Sequence, residues 1–152
     1  MSVVKNRRQQ IILAVGLPGS GKSTYFARRR IQPLSSDSLR QWLLDDAHNQ
    51  DHQKEIFKAL RYLLRMRLSL GRKNHYIDAT NLTPKERRSY IRLAAKLNCD
   101  VQAIYFDVPP EICQKRNLGR KRQVPQYAMQ KMREKLVPPS QAEGFIRIRV
   151  IK

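Results

Sequence analysis

The sequence predicts an α/β fold in which a parallel sheet is covered by helices, and two observations carry that expectation. Short apolar runs rich in β-branched residues alternate with segments of helical periodicity along the chain. The first run, Gln10–Val15, ends in Gly16-Leu17-Pro18-Gly19-Ser20-Gly21-Lys22-Ser23, and a helical segment over residues 22–30 opens at the end of this loop. Strand, glycine loop and helix in that order make a phosphate-binding loop and predict the P-loop NTPase arrangement.

The remaining elements follow the same alternation. Residues 31–34 form a second apolar run, and Ser35, Ser36 and Asp37 suit a loop and helix N-cap before a helix over residues 39–46. A polar break follows at residues 48–51. Over residues 53–70, Ile56, Phe57, Leu60, Leu63, Leu64 and Leu68 mark one apolar stripe of a long helix that Gly71 ends, and this stripe reads as core. Asn74–Asp78 is the next strand, with Ala79, Thr80 and Asn81 in the loop beyond it. Thr83-Pro84-x-Glu86 combines cap, first-turn proline and capping-box glutamate, and predicts a helix to about Leu97. A strand over residues 101–106, a helix over 110–118, a basic break over 119–124, a helix over 125–136 and a strand over 146–151 complete the order. No repeat or linker interrupts it, so a single domain spanning residues 1–152 is expected, with residues 1–9 a basic, loosely ordered N-terminus.

The loop explains its own composition. Gly16, Gly19 and Gly21 let the backbone curl until several N–H groups point into one concavity, and the helix N-terminus adds partial positive charge there. Pro18 and Ser20 complete the cradle. Lys22 can reach the β- and γ-phosphates of a nucleoside triphosphate such as ATP, Ser23 is placed to ligate Mg²⁺ directly, and Thr24 can add a hydrogen bond.

Charge points to the partner. The chain carries 31 Lys and Arg against 12 Asp and Glu, a formal net charge of +19, far beyond what solubility asks of a small domain. Nucleic acid is the natural counterpart, since a basic surface binds phosphate backbones through counterion release. A solvated basic surface is the plain alternative. No apolar stretch approaches the length of a membrane span and no signal-peptide pattern precedes the first strand, so a cytoplasmic protein without membrane association is expected. Cys99 and Cys113 lack zinc-ligand spacing and read as buried free thiols. Oligomeric state is left open.

Several polar residues fall at strand ends, where open α/β sheets bind ligands. Asp37 and Arg40 are spaced i, i+3: the carboxylate could accept a proton from an incoming hydroxyl while the guanidinium holds it or an acceptor phosphate. Equally, Asp37 could be an N-cap and Arg40 a surface residue. Asp78 could order the hydration shell of Mg²⁺ or tie down the Ala79-Thr80-Asn81 loop, and Asp37 could also meet the metal through water. Arg116, Arg120 and Arg122 bracket a glycine between two helices, which suits either a mobile cap over the triphosphate or a basic loop facing nucleic acid or solvent. His48, His52 and His75 read as surface or structural. Trp42 and Phe57 read as core, although an exposed Trp42 near Arg40 could stack on a base.

Taken together, Gly-x-Pro-Gly-Ser-Gly-Lys-Ser-Thr, Ser-Ser-Asp-x-x-Arg at residues 35–40, Asp-Ala-Thr-Asn at 78–81 and the Phe-Asp-Val-Pro…Arg-Asn stretch at 106–117 resemble the polynucleotide 5′-hydroxyl kinase family. The resemblance runs from about Ile11 to Phe145. It implies an ATP- and Mg²⁺-dependent kinase acting on 5′-hydroxyl ends of RNA or DNA, with Asp37 as general base and Arg40 contacting the acceptor. It also implies that Arg116, with Arg120 or Arg122, touches the ATP phosphates from a lid. The family often carries phosphatase or ligase domains; 152 residues leave no room for them, so separate proteins are expected to supply those steps. A kinase of a small acceptor would explain the loop and Asp37 but not the charge. A nucleic-acid-binding module without kinase activity would explain the charge but not Asp37.

Overall fold

The computed structural model describes residues 8–121 and 123–152. Its elements are β1 (Gln10–Val15), α1 (Lys22–Arg28), β2 (Leu34–Ser35), α2 (Ser36–Leu44), α3 (Gln53–Ser69), β3 (Asn74–Asp78), α4 (Pro84–Lys96), β4 (Asp100–Phe106), α5 (Pro110–Leu118), α6 (Gln126–Lys135), a 3₁₀ turn (Gln141–Glu143) and β5 (Arg147–Ile151). Five strands pair in the order β2-β3-β1-β4-β5, every pair parallel. Crossover helices explain why no hairpin occurs among the described residues. The register places Ser35 opposite Asp78 and Val15 opposite Tyr105, so the strand ends meet at one edge.

Side-chain alternation on β1 divides the core. Ile11, Leu13 and Val15 face Leu60, Leu64 and Leu68 of α3 and Tyr90, Leu93 and Ala94 of α4. Ile12 and Ala14 face the opposite side, where Phe26 of α1, Ile104 and Phe106 pack. A third cluster, Leu17, Leu82, Cys113 and Met129, lies between the glycine loop, α5 and α6.

The α3 stripe is buried at Ile56, Leu60, Leu64 and Leu68, but Leu63, expected in it, turns to solvent; the Thr83–Glu86 capping box forms as expected, Thr83 Oγ1 accepting from Glu86 N at 3.2 Å and Glu86 Oε2 from Thr83 N at 3.0 Å. The start of the chain differs in part from expectation. The presumed loose N-terminus falls mostly on residues 1–7, outside those described, but Gln9 Nε2 donates to the Leu68 and Arg72 carbonyls and Arg8 lies 3.6 Å from Asp100. Those two residues are therefore tied to the sheet.

The second strand is also displaced, from residues 31–34 to Leu34–Ser35. Helix α1 stops at Arg28, Arg30 turns to a φ of 55°, and Ile31 N returns to the Phe26 carbonyl at 2.9 Å. Ile31 thus packs on Phe26 instead of pairing, and Pro33 has no N–H to give a ladder. Helix α2 starts three residues early because Ser35, not Asp37, caps it, accepting from Ser38 N at 3.2 Å. Trp42 is 86% exposed on α2 rather than core, while Phe57 is half-buried against the main cluster. Cys99 and Cys113 are buried free thiols. His75 is buried with Nε2 2.7 Å from the Arg72 carbonyl, and His48 and His52 are exposed. Among the described residues no helix is long and apolar enough to cross a membrane.

A buried ion pair, Arg87–Glu143, joins the far end of the chain to the strand-end loops. Arg87 Nε and Nη2 donate to the two Glu143 oxygens at 2.8 and 3.0 Å, and Nη1 donates to the Asn81 carbonyl at 2.8 Å. Burial raises the Glu143 carboxyl, but bonds from Arg87 and Ser140 N outweigh it and hold the carboxyl below its ordinary value. Arg87→Ala leaves that carboxylate without its cation and should cost roughly 3 kcal/mol in chemical denaturation. Because the folded-state value is depressed, the stability contributed by Glu143 is complete above the ordinary carboxylate range and is lost as pH falls through the folded value. Glu143→Gln should flatten this acid dependence; an unchanged acid profile would contradict the pairing.

Candidate active site

The glycine loop turns between β1 and α1 through two left-handed residues, Gly19 at φ 83° and Gly21 at φ 97°. Gly19 is further constrained by packing, since a Cβ there would stand 2.5 Å from the Cys113 carbonyl oxygen of α5. The loop is also tied to the sheet: Gly16 N donates to the Thr80 carbonyl at 3.0 Å, and Asn81 Nδ2 donates to the Ala14 carbonyl at 2.8 Å. Asn81 makes that contact from a φ of 47°.

Lys22 is buried, and its Nζ donates to the carbonyls of Gly16 and Leu17 at 2.9 and 2.8 Å. Burial pulls its ammonium down to about 8, opposed by the Asp78 charge and assisted by Arg120. Ser23 Oγ donates to Asp78 Oδ2 at 2.9 Å. Burial raises Asp78, against the Ser23 bond and the Lys22 charge. Ser20 is buried with its Oγ unpartnered, half-buried Pro18 flanks it, and Thr24 is exposed. These groups fit a triphosphate with its metal: a buried ammonium, an orphaned hydroxyl and a hydroxyl–carboxylate pair lie along the loop and the strand end beside it.

Asp37 and Arg40 stand at the rim as the i, i+3 spacing requires, with Arg40 Nη1 donating to Asp37 Oδ1 at 2.9 Å. The carboxylate is 69% exposed while the guanidinium is almost fully buried. Arg40 Nη2 donates to Gln53 Oε1 at 2.6 Å, its Nε is unpartnered, and its Cζ lies 5.9 Å from the Phe57 ring centroid. The Asp37 charge is felt by both Lys22 and Asp78. A rigid cation therefore aims a solvent-facing carboxylate beside the cradle, an arrangement suited to accepting a proton from a bound hydroxyl.

Arg116 Nη1 donates to the Gly19 carbonyl at 3.3 Å. Arg120 is close enough to lower Lys22 and Asp78 by its charge. Both arginines thus come to the loop; Arg122 lies outside the described residues. Sequence reading missed Gln53, Arg87, Glu143 and the structural part of Asn117, whose side chain pairs with the Val124 N–H and carbonyl at 2.9 and 2.7 Å. One signal was available, because Arg87 stands three residues before Tyr90 and seven before Ala94 on the apolar face of α4.

The depressed Lys22 value has a direct consequence. Affinity for ATP should be steady up to about pH 7 and fall once pH passes about 8, by at most about tenfold per unit, because only the ammonium attracts phosphate. In Lys22→Arg the charge persists and the fall should disappear. Fluorescence titration with a labelled nucleotide across pH measures this, and wild-type affinity that is flat to about pH 9.5 would contradict it.

A family model described as an AAA domain matches residues 11–139. The chain is 26% identical over 149 residues to a bifunctional polynucleotide phosphatase/kinase of Schizosaccharomyces pombe, covering 95% of this chain and 34% of that protein. It is 25% identical over 138 residues to an L-seryl-tRNA(Sec) kinase of Methanococcus maripaludis, covering 85% and 53%. A solved structure of the Pnkp1/Rnl/Hen1 RNA repair complex is similar with a TM-score of 0.72 at 25% identity, over 90% of this chain and 46% of that one. The chain spans between a third and about half of the length of these curated relatives. The expected likeness to polynucleotide kinases is borne out by the phosphatase/kinase and the RNA repair complex, and with the family match extending from β1 through α6 the chain belongs to the AAA domain family and has the P-loop kinase fold.

Proposed function

We propose that this chain transfers the γ-phosphoryl group of ATP to the 5′-hydroxyl of RNA or DNA. The observation that carries the reading is the Asp37–Arg40 pair, an exposed carboxylate fixed by a buried guanidinium beside the phosphate cradle. The net charge of +19 and the likeness to polynucleotide phosphatase/kinases support a polymeric acceptor over a small one.

In this mechanism the loop N–H groups and Lys22 hold the β- and γ-phosphates, the ammonium exchanging the Gly16 and Leu17 carbonyls for phosphate oxygens. Ser23 would hold Mg²⁺, with Asp78 and Asp37 meeting it through water, and the metal would supply charge neutralisation to the phosphates. A bond forms between the acceptor 5′-oxygen and the γ-phosphorus. The bond from that phosphorus to the β–γ bridging oxygen breaks, its electron pair leaving with ADP, and the hydroxyl proton passes to the Asp37 carboxylate. Arg40 orients Asp37 and the acceptor, while Arg116 and Arg120 offset negative charge on the transferring group.

Asp37→Asn preserves shape and the Arg40 hydrogen bond but removes the base. End-labelling of 5′-hydroxyl oligonucleotides should fall by about 100-fold or more, with ATP affinity within about twofold of wild type. Labelling at the wild-type rate would remove Asp37 from the mechanism.

A further inference from the structure

Between α3 and α4 lies a groove of about 1030 Å³ that the transfer chemistry does not use. It begins at the reacting pair: Gln53, the partner of Arg40, lines it together with Thr80 and Asn81. Lys54, Lys58 and Arg61 project from the α3 wall, and Lys85 and Lys135 stand on the other side. Among the described residues none of these five cations forms an ion pair. Sites for small molecules occupy roughly 300–1,000 Å³, so the groove exceeds what a sugar or single nucleotide needs.

Two features define what fits. The α3 cations share one helix face at i, i+4 and i+7, stepping about 6 and 4.5 Å along the axis, on the scale of successive phosphates in an extended strand. Half-buried Phe57 also lines the groove, offering aromatic surface that a duplex would leave unused but an unstacked base can cover. Tyr90 adds an independent observation. It is 1% exposed and its Oη has no hydrogen-bond partner, although Arg61 and Glu86 bring their charges near it. A buried hydroxyl left in that state is a cost to the free protein that a ligand in the groove would relieve.

We propose that this groove carries the acceptor strand downstream of its 5′ nucleotide, that it takes a single strand, and that the strand supplies the missing hydrogen-bond partner of Tyr90. The inference rests on the polynucleotide reading of the adjacent site, and the experiment separates the two.

Binding is measured by fluorescence anisotropy for labelled 5′-hydroxyl single strands of one to about six nucleotides, beside γ-phosphate transfer to the same oligonucleotides. Wild-type affinity should rise with length and then level off. In Lys58→Ala/Arg61→Ala the gain with length should be largely lost, with the salt slope reduced by about 0.7 for each cation removed and ATP affinity retained as evidence of folding. Tyr90→Phe should weaken binding of the longer strands about fivefold without lowering the melting temperature of the free protein, a combination that a purely structural hydroxyl would not give. An unchanged length dependence in the double variant, or a blunt duplex bound as tightly as the single strand, would overturn the groove assignment. Length-dependent binding that the variants abolish, with no transfer by wild type, would leave the groove a single-strand site and overturn only the kinase reading.

Discussion

Where the glycine loop passes α5, Gly19 lies against the Cys113 carbonyl so closely that a methyl group could not be inserted between them. Its φ of 83° would strain any other residue, and the packing forbids one even if the strain were accepted. This contact makes the loop and α5 a single body. Arg116, one turn farther along α5, reaches the Gly19 carbonyl from the same helix, and Arg120 follows just beyond its end. Leu17, Cys113 and Met129 pack beneath them and bring α6 into the same unit. The cations beside the glycine loop are therefore placed by the packing of the helix that carries them.

Electrostatics at the rim rest on an unequal partition of burial. Arg40 gives up solvent and is held by Asp37, Gln53 and the Phe57 ring, while Asp37 keeps most of its exposure. An exposed carboxylate on a fixed guanidinium can receive a hydroxyl without moving its support. Lys22 presents the opposite case, a charge withdrawn from solvent and satisfied by two carbonyls. Asp78 stands between, raised by burial and already bonded to Ser23.

Much of this arrangement was legible in the sequence because it is local. The glycine loop, the i, i+3 pair and the Thr83 capping box each depend on residues within a few positions of one another and appear where expected, as does the α3 stripe apart from exposed Leu63. Misplaced elements turned on competition between local signals. Residues 31–34 are apolar enough for a strand, but Pro33 and the left-handed Arg30 delay pairing to Leu34, and two neighbouring serines moved the cap from Asp37 to Ser35. Trp42 has core chemistry on a helix whose buried face belongs to Ser36 and Arg40. Hidden from the sequence altogether were the long-range partners. Arg87 is visible as a cation on an apolar stripe, but Glu143, 56 residues away, is supplied only by the fold. Arg120 is near enough to Lys22 for its charge to lower the ammonium, while Arg122 falls outside the described residues.

Which oxygen receives the phosphate separates a polymeric acceptor from a small one. The most direct measurement offers the protein ATP and Mg²⁺ with a 5′-hydroxyl oligonucleotide, a free nucleoside and small polyols in one mixture, and locates the transferred phosphate by mass spectrometry. Phosphate on the 5′-oxygen of the polymer alone is the predicted result. Phosphate on the nucleoside or a polyol, with the polymer unmodified, would contradict the central claim and make the basic surface incidental to the reaction.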